Sequence, residues 1–217
     1  MITFHIITLF PEVVTPYLTT SMLLRAQKQK KIRVVVYNPR DFTTDIHRKA
    51  DDKPYGGGPG MVLKAGPILS VVKKIKKKYS KAKVLITAPQ GIEFNRTHAK
   101  KFAKLHSHII LIAGHYEGID ARVRKALRAQ EISIGPYTLT GGEVPSLVIV
   151  DAIVRQIPGV LGNPLSLEEN RTASADVYTR PETLVFEGKK YRVPKILRSG
   201  NHKDIESWRI KHKKSRK

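Results

Sequence analysis

Strand-like and helical patterns alternate along the first three quarters of this chain. Short apolar segments rich in β-branched residues predict strands, and the amphipathic segments between them predict helices. Strands that are joined by helices form a mostly parallel sheet with both faces covered, so the alternation predicts an α/β fold. The predicted strands are 2–9, 32–38, 83–88, 108–114 and 131–134, and the predicted helices are 14–30, 67–80, 95–106, 120–129 and 143–157.

The pattern changes after Pro158. Residues 158–198 are polar and irregular, which predicts a long loop that is either functional or a linker. A helical pattern then restarts with Ser199 or Asn201 as its N-cap and runs into a basic tail. The chain is therefore predicted to fold into one main domain with a small appendage.

Basic residues outnumber acidic residues by more than two to one. The 40 Lys and Arg residues against 18 Asp and Glu residues give a formal net charge of +22. Such a charge favours a polyanionic partner, most simply nucleic acid. An anionic membrane surface is disfavoured because no basic amphipathic helix or lipidation motif is present. The lysine run at 73–78 is a candidate RNA contact, and its alternative is a solvated helix face.

Several classes of protein are excluded by what the sequence lacks. The chain has no cysteine, which excludes disulfides and thiolate metal sites, and its eight histidines lack metal-ligand spacing. No P-loop, dinucleotide-binding or nucleophile-elbow motif is present. No apolar run reaches the roughly 18 residues of a membrane span, and no signal peptide is recognised. We therefore expect a soluble, cytoplasmic protein with no membrane partner.

Three glycine-bearing turns each follow a predicted strand, at 88–91, 114–120 and 133–143. In open α/β sheets, ligands bind at the carboxyl ends of the strands. Turns that converge there would line a pocket with backbone N–H and C=O groups, which suits a small ligand with a purine edge and a ribose. Each turn alone could be an ordinary loop, but their occurrence in successive units favours a shared pocket.

Eight ordered motifs resemble one known family. They are "LFPE", "RDFTTDIHRKADDKPYGGGPGM", "APQG", "GHYEGIDARV", "SIGPYTLTGGE", "RQIPGVLGN", "YTRPE" and "SGNHKDIESWR". In this order they resemble the bacterial tRNA (guanine-N1)-methyltransferases of the TrmD family. The resemblance runs from the first strand to about Arg209 and so covers nearly the whole chain.

The resemblance implies a SPOUT fold, which is an α/β domain with a mostly parallel sheet and a C-terminal trefoil knot, plus a small helical C-terminal domain. It divides the chain into a methyl-donor-binding SPOUT domain at 1–160, an interdomain loop at 161–175 and a small tRNA-binding domain at 176–217. The last domain is shorter than usual for the family, and the basic tail would compensate through phosphate contacts. The resemblance also implies a homodimer with its active sites at the subunit interface.

The resemblance further implies a reaction, in which S-adenosylmethionine donates a methyl group to N1 of the guanosine 3′ to the anticodon in tRNA. A guanosine must precede the target, and Mg²⁺ supports catalysis, with no protein ligand assigned to the metal. Glu117 is expected to face the target base, unless it is an exposed loop carboxylate. The expected donor-binding residues are Ile86, Thr87, Ala88, Pro89, Gly91, Gly114, Tyr116, Glu117, Ile134, Gly135, Pro136, Tyr137, Thr138, Leu139, Gly141, Gly142 and Pro145.

The chemistry at guanine N1 requires two catalytic groups. The N1 proton must leave as the methyl group arrives, which requires a general base, and negative charge that builds toward O6 favours a nearby cation. Arg155 matches the family arginine that stabilises the charge at O6. The alternative interpretation of Arg155 is a basic residue that closes a helix C-terminus. Asn170 stands where the family has its aspartate base, and an amide cannot accept the proton. Glu169 is therefore the candidate base, with Glu168 and Asp176 as alternatives.

Asn170 leaves a second function open, which is a catalytically weak or lapsed RNA-binding homologue that retains the donor pocket. The donor turns and Arg155 favour the enzyme. A SPOUT methyltransferase with another RNA target is disfavoured, because the glycine-rich segment at 55–61 and the "YTRPE" segment are features of the TrmD family.

Overall fold

The computed structural model describes residues 1–161 and 176–212. The chain separates into two compact units, Met1–Val160 and Leu161–Lys217. The proposed roles of 161–175 as an interdomain loop and of 176–217 as a tRNA-binding domain stay predictions. Of the helices that the structure describes, none is long and apolar enough to cross a bilayer.

A five-stranded, wholly parallel sheet forms the centre of the first unit. Its strand order is β2-β1-β6-β5-β7, and β3 and β4 form a separate two-residue antiparallel pair. The predicted α/β class with a mostly parallel sheet is therefore confirmed. The strands are β1 (Ile2–Ile7), β2 (Ile32–Tyr37), β3 (Asp51–Asp52), β4 (Val62–Leu63), β5 (Lys83–Glu93), β6 (His108–Ala113) and β7 (Gln130–Ser133).

Helices cover both faces of this sheet. Strand residues alternate between two apolar clusters, so that Ile109 and Leu111 of β6 belong to one and Ile110 and Ile112 to the other. Helices α1, α2, α4 and α6 contribute buried residues to the first cluster, and α3 and α5 to the second. The helices are α1 (Pro11–Leu18), α2 (Ser21–Lys28), α3 (Ala65–Lys78), α4 (Arg96–Leu105), α5 (Ala121–Leu127) and α6 (Glu143–Val154).

The prediction of a single helix at 14–30 is wrong, because the chain forms two helices there. Thr20 is extended, with φ −122° and ψ 161°, and Ser21 has φ 47°. The Thr19 hydroxyl donates to the Thr15 carbonyl at 3.0 Å, and the Thr20 hydroxyl donates to the Tyr17 carbonyl at 3.0 Å. These side chains satisfy carbonyls that the helix end leaves without intrahelical partners, and α1 stops there.

The prediction of a purely helical second unit is wrong, because this unit also contains a β-hairpin. The hairpin also shows that 158–198 is not wholly irregular. Strands β8 (Thr183–Phe186) and β9 (Lys189–Arg192) form an antiparallel hairpin. Its two turn residues, Glu187 and Gly188, both have positive φ, as a type I′ turn requires. Helix α7 (His202–Lys211) follows, and Asn201 is its N-cap, because its side chain accepts from the backbone N–H of Lys203 at 3.2 Å.

A buried histidine lies in the middle of β1. His5 is 2% exposed, its Nε2 lies 3.3 Å from Nδ1 of His108, and its Nδ1 lies 3.3 Å from the Tyr37 hydroxyl. Burial first, and then the charges of His108 and Arg33, together lower the pKa of His5 to about 4. The unfolded chain, with a pKa near 6.5, therefore binds the extra proton first as the pH falls.

We expect this histidine to make stability depend on pH. The neutral side chain of His5 contributes its full share of the free energy of unfolding above about pH 6.5, and this share is lost as the pH falls toward 4. The free energy of unfolding then decreases by about 2 kcal/mol, after allowance for residual hydration. Urea unfolding at pH 7, 6 and 5 would measure this loss, which His5→Gln should reduce and the exposed-site control His47→Gln should not. An equal loss in the wild type and in His5→Gln would contradict the assignment.

Candidate functional site

A cleft opens at the ends of β6 and β7, beside residues 86–90 of β5. Its volume of about 560 Å³ lies within the range of small-molecule sites. The predicted turns at 114–120 and 133–143 meet here, because the carboxyl ends of parallel strands share one edge of the sheet. The segment at 88–91 also meets them, but it is not the predicted turn after a strand, because it lies within β5, where the pairing with β7 shifts register between Thr87 and Ile92. The cleft is lined by residues 86–90, 114–121, 131–134 and 137–142 together with Arg124 and Pro145.

Of the seventeen predicted donor-binding residues, all except Gly91, Gly135 and Pro136 line this cleft. Gly91 lies in β5, and a Cβ there would collide with the backbone of Ile132 in β7. A Cβ on Gly135 would lie 2.8 Å from Cζ of Tyr137. The structure therefore gives Gly91 and Gly135 packing roles, and their contact with the donor stays a prediction.

Short backbone contacts tie the turn at 133–142 to the end of β6. The Gly142 N–H donates to the Gly114 carbonyl at 2.6 Å, and Gly141 forms an isolated β-bridge with His115. A Cβ on Gly142 would lie 2.6 Å from the Gly114 nitrogen and 2.9 Å from Cα of Ala113. The wall of the cleft is thus preformed backbone that leaves no room for a side chain at this position.

A buried carboxylate behind the cleft was missed by sequence reasoning. Glu143, the first residue of α6, is 4% exposed and accepts from the Thr8 hydroxyl at 2.7 Å. Its other oxygen lies 3.5 Å from Nδ1 of His115, a cleft-lining side chain whose ring centroid is 4.6 Å from that of Phe10. The helix N-terminus favours this negative charge. Thr8 and Glu143 are 135 residues apart, so no local pattern could have paired them.

The glycine-rich segment before Met61 lies beside the cleft. The Glu117 N–H donates to the Met61 carbonyl at 3.0 Å, and the Leu63 N–H donates to the Gly118 carbonyl at 3.0 Å. A side chain at Gly60, which has φ +81°, would press against the Glu117 side chain. The position of Glu117 is therefore fixed by the segment at 60–63 as well as by its own turn.

Arg155 does not line the cleft of its own chain. It directly follows α6 and is partly buried. Because a helix rises about 1.5 Å per residue, Arg155 lies roughly 18 Å from Glu143 at the other end of α6. Glu168, Glu169 and Asn170 lie outside the described residues, so their part in catalysis stays a prediction.

Comparisons with known proteins agree on one family. A family model described as tRNA (Guanine-1)-methyltransferase TrmD matches residues 2–217. A tRNA (guanine-N(1)-)-methyltransferase of Dictyoglomus turgidum is 48% identical over 215 residues, which are 97% of this chain and 84% of the relative. Proteins of the same name from Carboxydothermus hydrogenoformans (48% over 210 residues; 95% of this chain, 80% of the relative) and Bacillus cereus (45% over 215 residues; 97% and 85%) are also similar. The chain therefore belongs to the TrmD family of tRNA (guanine-1)-methyltransferases.

Proposed function

We propose that this chain methylates N1 of the guanosine 3′ to the anticodon in tRNA, where a guanosine precedes the target, with S-adenosylmethionine as the donor. Membership of a family named for tRNA guanine-1 methylation supports the reaction. The observation that carries the proposal is the cleft at the carboxyl edge of the sheet, in which the turns at 114–120 and 133–143 meet the segment at 88–91. A tRNA substrate places the activity in the cytoplasm and agrees with the net charge of +22.

The cleft fits the donor in shape and chemistry. Gly141 and Gly142 leave bare backbone in its wall, and the half-exposed side chains of Tyr137 and Leu139 offer apolar cover for adenine and the methionine chain. When bound, the donor supplies a methyl group on a sulfonium sulfur, and the carbon–sulfur bond breaks as the bond to N1 forms. Glu117 lies in the lining, where it can contact the target base.

Two groups of this chain complete the proposed reaction. The carboxylate of Glu169 accepts the proton that leaves N1, and the guanidinium of Arg155 stabilises the negative charge that builds toward O6. A positioned base and a preorganised cation each act on the transition state more than on the bound substrate. Both roles follow from the chemistry of the base and from the family resemblance.

A second copy of the chain would cover an exposed apolar face. Val13 and Tyr17 on α1 and Val144 and Val148 on α6 are 42–51% exposed, although the two helices pack side by side. Four half-exposed apolar side chains on one surface indicate an interface. We propose that this face is the homodimer contact.

The same face carries Arg155. Val144, Val148, Asp151 and Arg155 follow the i, i+4, i+7, i+11 spacing that places residues on one side of a helix. The Tyr17 hydroxyl donates to Asp151 at 2.7 Å, and this hydrogen bond raises the pKa of Tyr17. A dimer formed through this face would bring Arg155 toward the partner, which supports active sites shared between subunits.

Two further features implied by the family remain proposals. The trefoil knot rests on membership of the family, and the turn at 133–142 contacts the end of β6. The described residues build no site for the Mg²⁺ that the family implies. Within residues 1–161 and 176–212, no cluster of three or more His, Asp or Glu side chains is placed to hold a metal, so no step is assigned to it.

Methyl transfer to defined tRNAs tests the proposed function. In single-turnover assays, a transcript with guanosine before the target guanosine should be methylated at N1, and transcripts with adenosine at either position should not. Donor and tRNA binding without transfer would identify a lapsed homologue. Methylation at another nucleotide would identify a SPOUT methyltransferase with a different target.

A further inference from the structure

Charge is segregated along the sequence of the first unit. No Asp or Glu occurs at 13–40, 53–92 or 94–116, although these ranges are rich in lysine. Each range contains one helix-to-strand connection, namely α2 to β2, α3 to β5 and α4 to β6. The acidic residues of the first unit lie elsewhere, so these three connections are free of acid.

The fold brings the three connections to one edge of the sheet. Because β2, β1, β6 and β5 are parallel neighbours, they all begin at the same edge. The Ile2 N–H donates to the Lys31 carbonyl at 3.1 Å and the Thr3 N–H to the Ser107 carbonyl at 2.8 Å, so the start of β1 is flanked by two of the connections. This amino edge is opposite the cleft.

Six exposed lysines mark this edge, and we call them the amino-edge rim. None of them forms an ion pair with a residue in the described part of the chain. The amino-edge rim consists of Lys28, Lys30, Lys78, Lys81, Lys101 and Lys104.

Helix dipoles account for only part of the amino-edge rim, namely Lys28, Lys78 and Lys104 in the last turns of their helices. A lysine in the last turn of a helix is stabilised by the helix dipole, but Lys30 and Lys81 lie beyond the helix ends. Like charges are also held together here. Burial and then the charge of Lys101 lower the pKa of Lys83, and burial and then Lys78 lower that of His108. Such repulsion costs stability in the free protein and is relieved by a bound polyanion.

We propose that the amino-edge rim binds the phosphate backbone of tRNA at a part of the molecule away from the methylated guanosine. The proposal rests on the proposed function, which makes tRNA the substrate. Strands of six residues at about 3.3 Å each separate the two edges of the sheet by roughly 20 Å, so the rim does not reach the nucleotide in its own cleft. Lysines act as point charges that suit phosphates, and they carry no base readout.

Charge removal at three rim positions tests the contact. The triple variant Lys81→Gln, Lys101→Gln, Lys104→Gln should bind full-length tRNA at least about 10-fold more weakly at 0.1 M salt. Its salt dependence should be shallower by about 2 units, since each phosphate contact contributes roughly 0.7–0.9. The matched control is Lys→Arg at the same three positions, which retains the charge and should retain both affinity and slope. Calorimetric donor binding and single-turnover methylation at saturating tRNA should stay at wild-type values in both variants.

A shorter RNA separates direct contact from a general field effect. An anticodon stem-loop lacks the other arms of tRNA, which the rim is proposed to contact, so the Gln variant should bind it as the wild type does. Equal losses for the stem-loop and full-length tRNA, or an unchanged salt slope for full-length tRNA, would overturn the proposal. Loss of binding to vesicles of anionic lipid with tRNA binding intact would assign the rim to a membrane instead. Methylation by the wild type tests the proposed function, and the affinity and salt slope of the variants test the rim. The two ideas can therefore fail independently of each other.

Discussion

Replacing Gly142 with Ala is expected to abolish binding of S-adenosylmethionine. A Cβ at this position would meet the Gly114 nitrogen at 2.6 Å and Cα of Ala113 at 2.9 Å, as well as the Thr87 hydroxyl. Backbone at the end of a central strand cannot move aside, so the turn at 133–142 must shift and its 2.6 Å hydrogen bond must break. We expect a loss of affinity of at least about 100-fold, which corresponds to roughly 2.7 kcal/mol.

Gly66→Ala is the matched control, because a Cβ there meets nothing within 4 Å and Gly66 lies in the first turn of α3. It should leave donor binding unchanged in calorimetric titration. Gly141→Val should weaken binding less than Gly142→Ala, since the added atoms press on the side chains of His115 and Glu143 and not on backbone atoms. Normal donor binding by a folded Gly142→Ala protein would remove the turn at 133–142 from the donor site.

The second large effect is expected at Glu169. Its carboxylate can accept the N1 proton, which the amide of Asn170 cannot, and it adjoins the position of the family aspartate. A positioned general base contributes about 10²–10⁴-fold in rate. Glu169→Gln should therefore slow single-turnover methylation by that range and leave donor binding intact.

Asn170→Asp supplies the reciprocal test. It should give little gain, because Glu169 already fills the role of base. A harmless Glu169→Gln together with a strongly accelerating Asn170→Asp would show that the natural protein is a lapsed enzyme. If neither change alters the rate, Asp176 is the next carboxylate to substitute.

Local features of the fold were predictable because their causes are local. Asn95 was predicted as an N-cap, and its side chain accepts from the His98 N–H at 3.1 Å. The break between α1 and α2 was not predicted, because it depends on which carbonyl oxygens accept hydrogen bonds from the Thr19 and Thr20 hydroxyls. The hairpin at 183–192 was also missed, since its Glu-Gly turn lacks the Asn-Gly or Asp-Gly pair that signals a type I′ turn.

The site was predictable only as far as its backbone turns. The turns are contiguous in sequence, and the parallel-sheet rule says where they meet. The link between Thr8 and Glu143 spans the length of the domain and has no sequence signal. The distance between Arg155 and the cleft depends on the direction of α6, which only the structure gives.

The sheet order also sets when the domain can fold during synthesis. Strand β1 lies between β2 and β6, so its second edge stays open until residue 113 has been made. At roughly 5–20 residues per second, the ribosome needs on the order of several seconds to extend the chain from β2 to the end of β6. Throughout that time an apolar strand presents unpaired N–H and C=O groups, which are the template for pairing with another nascent chain. The interior position of β1 thus makes the period before β6 emerges an aggregation-prone stage of biosynthesis.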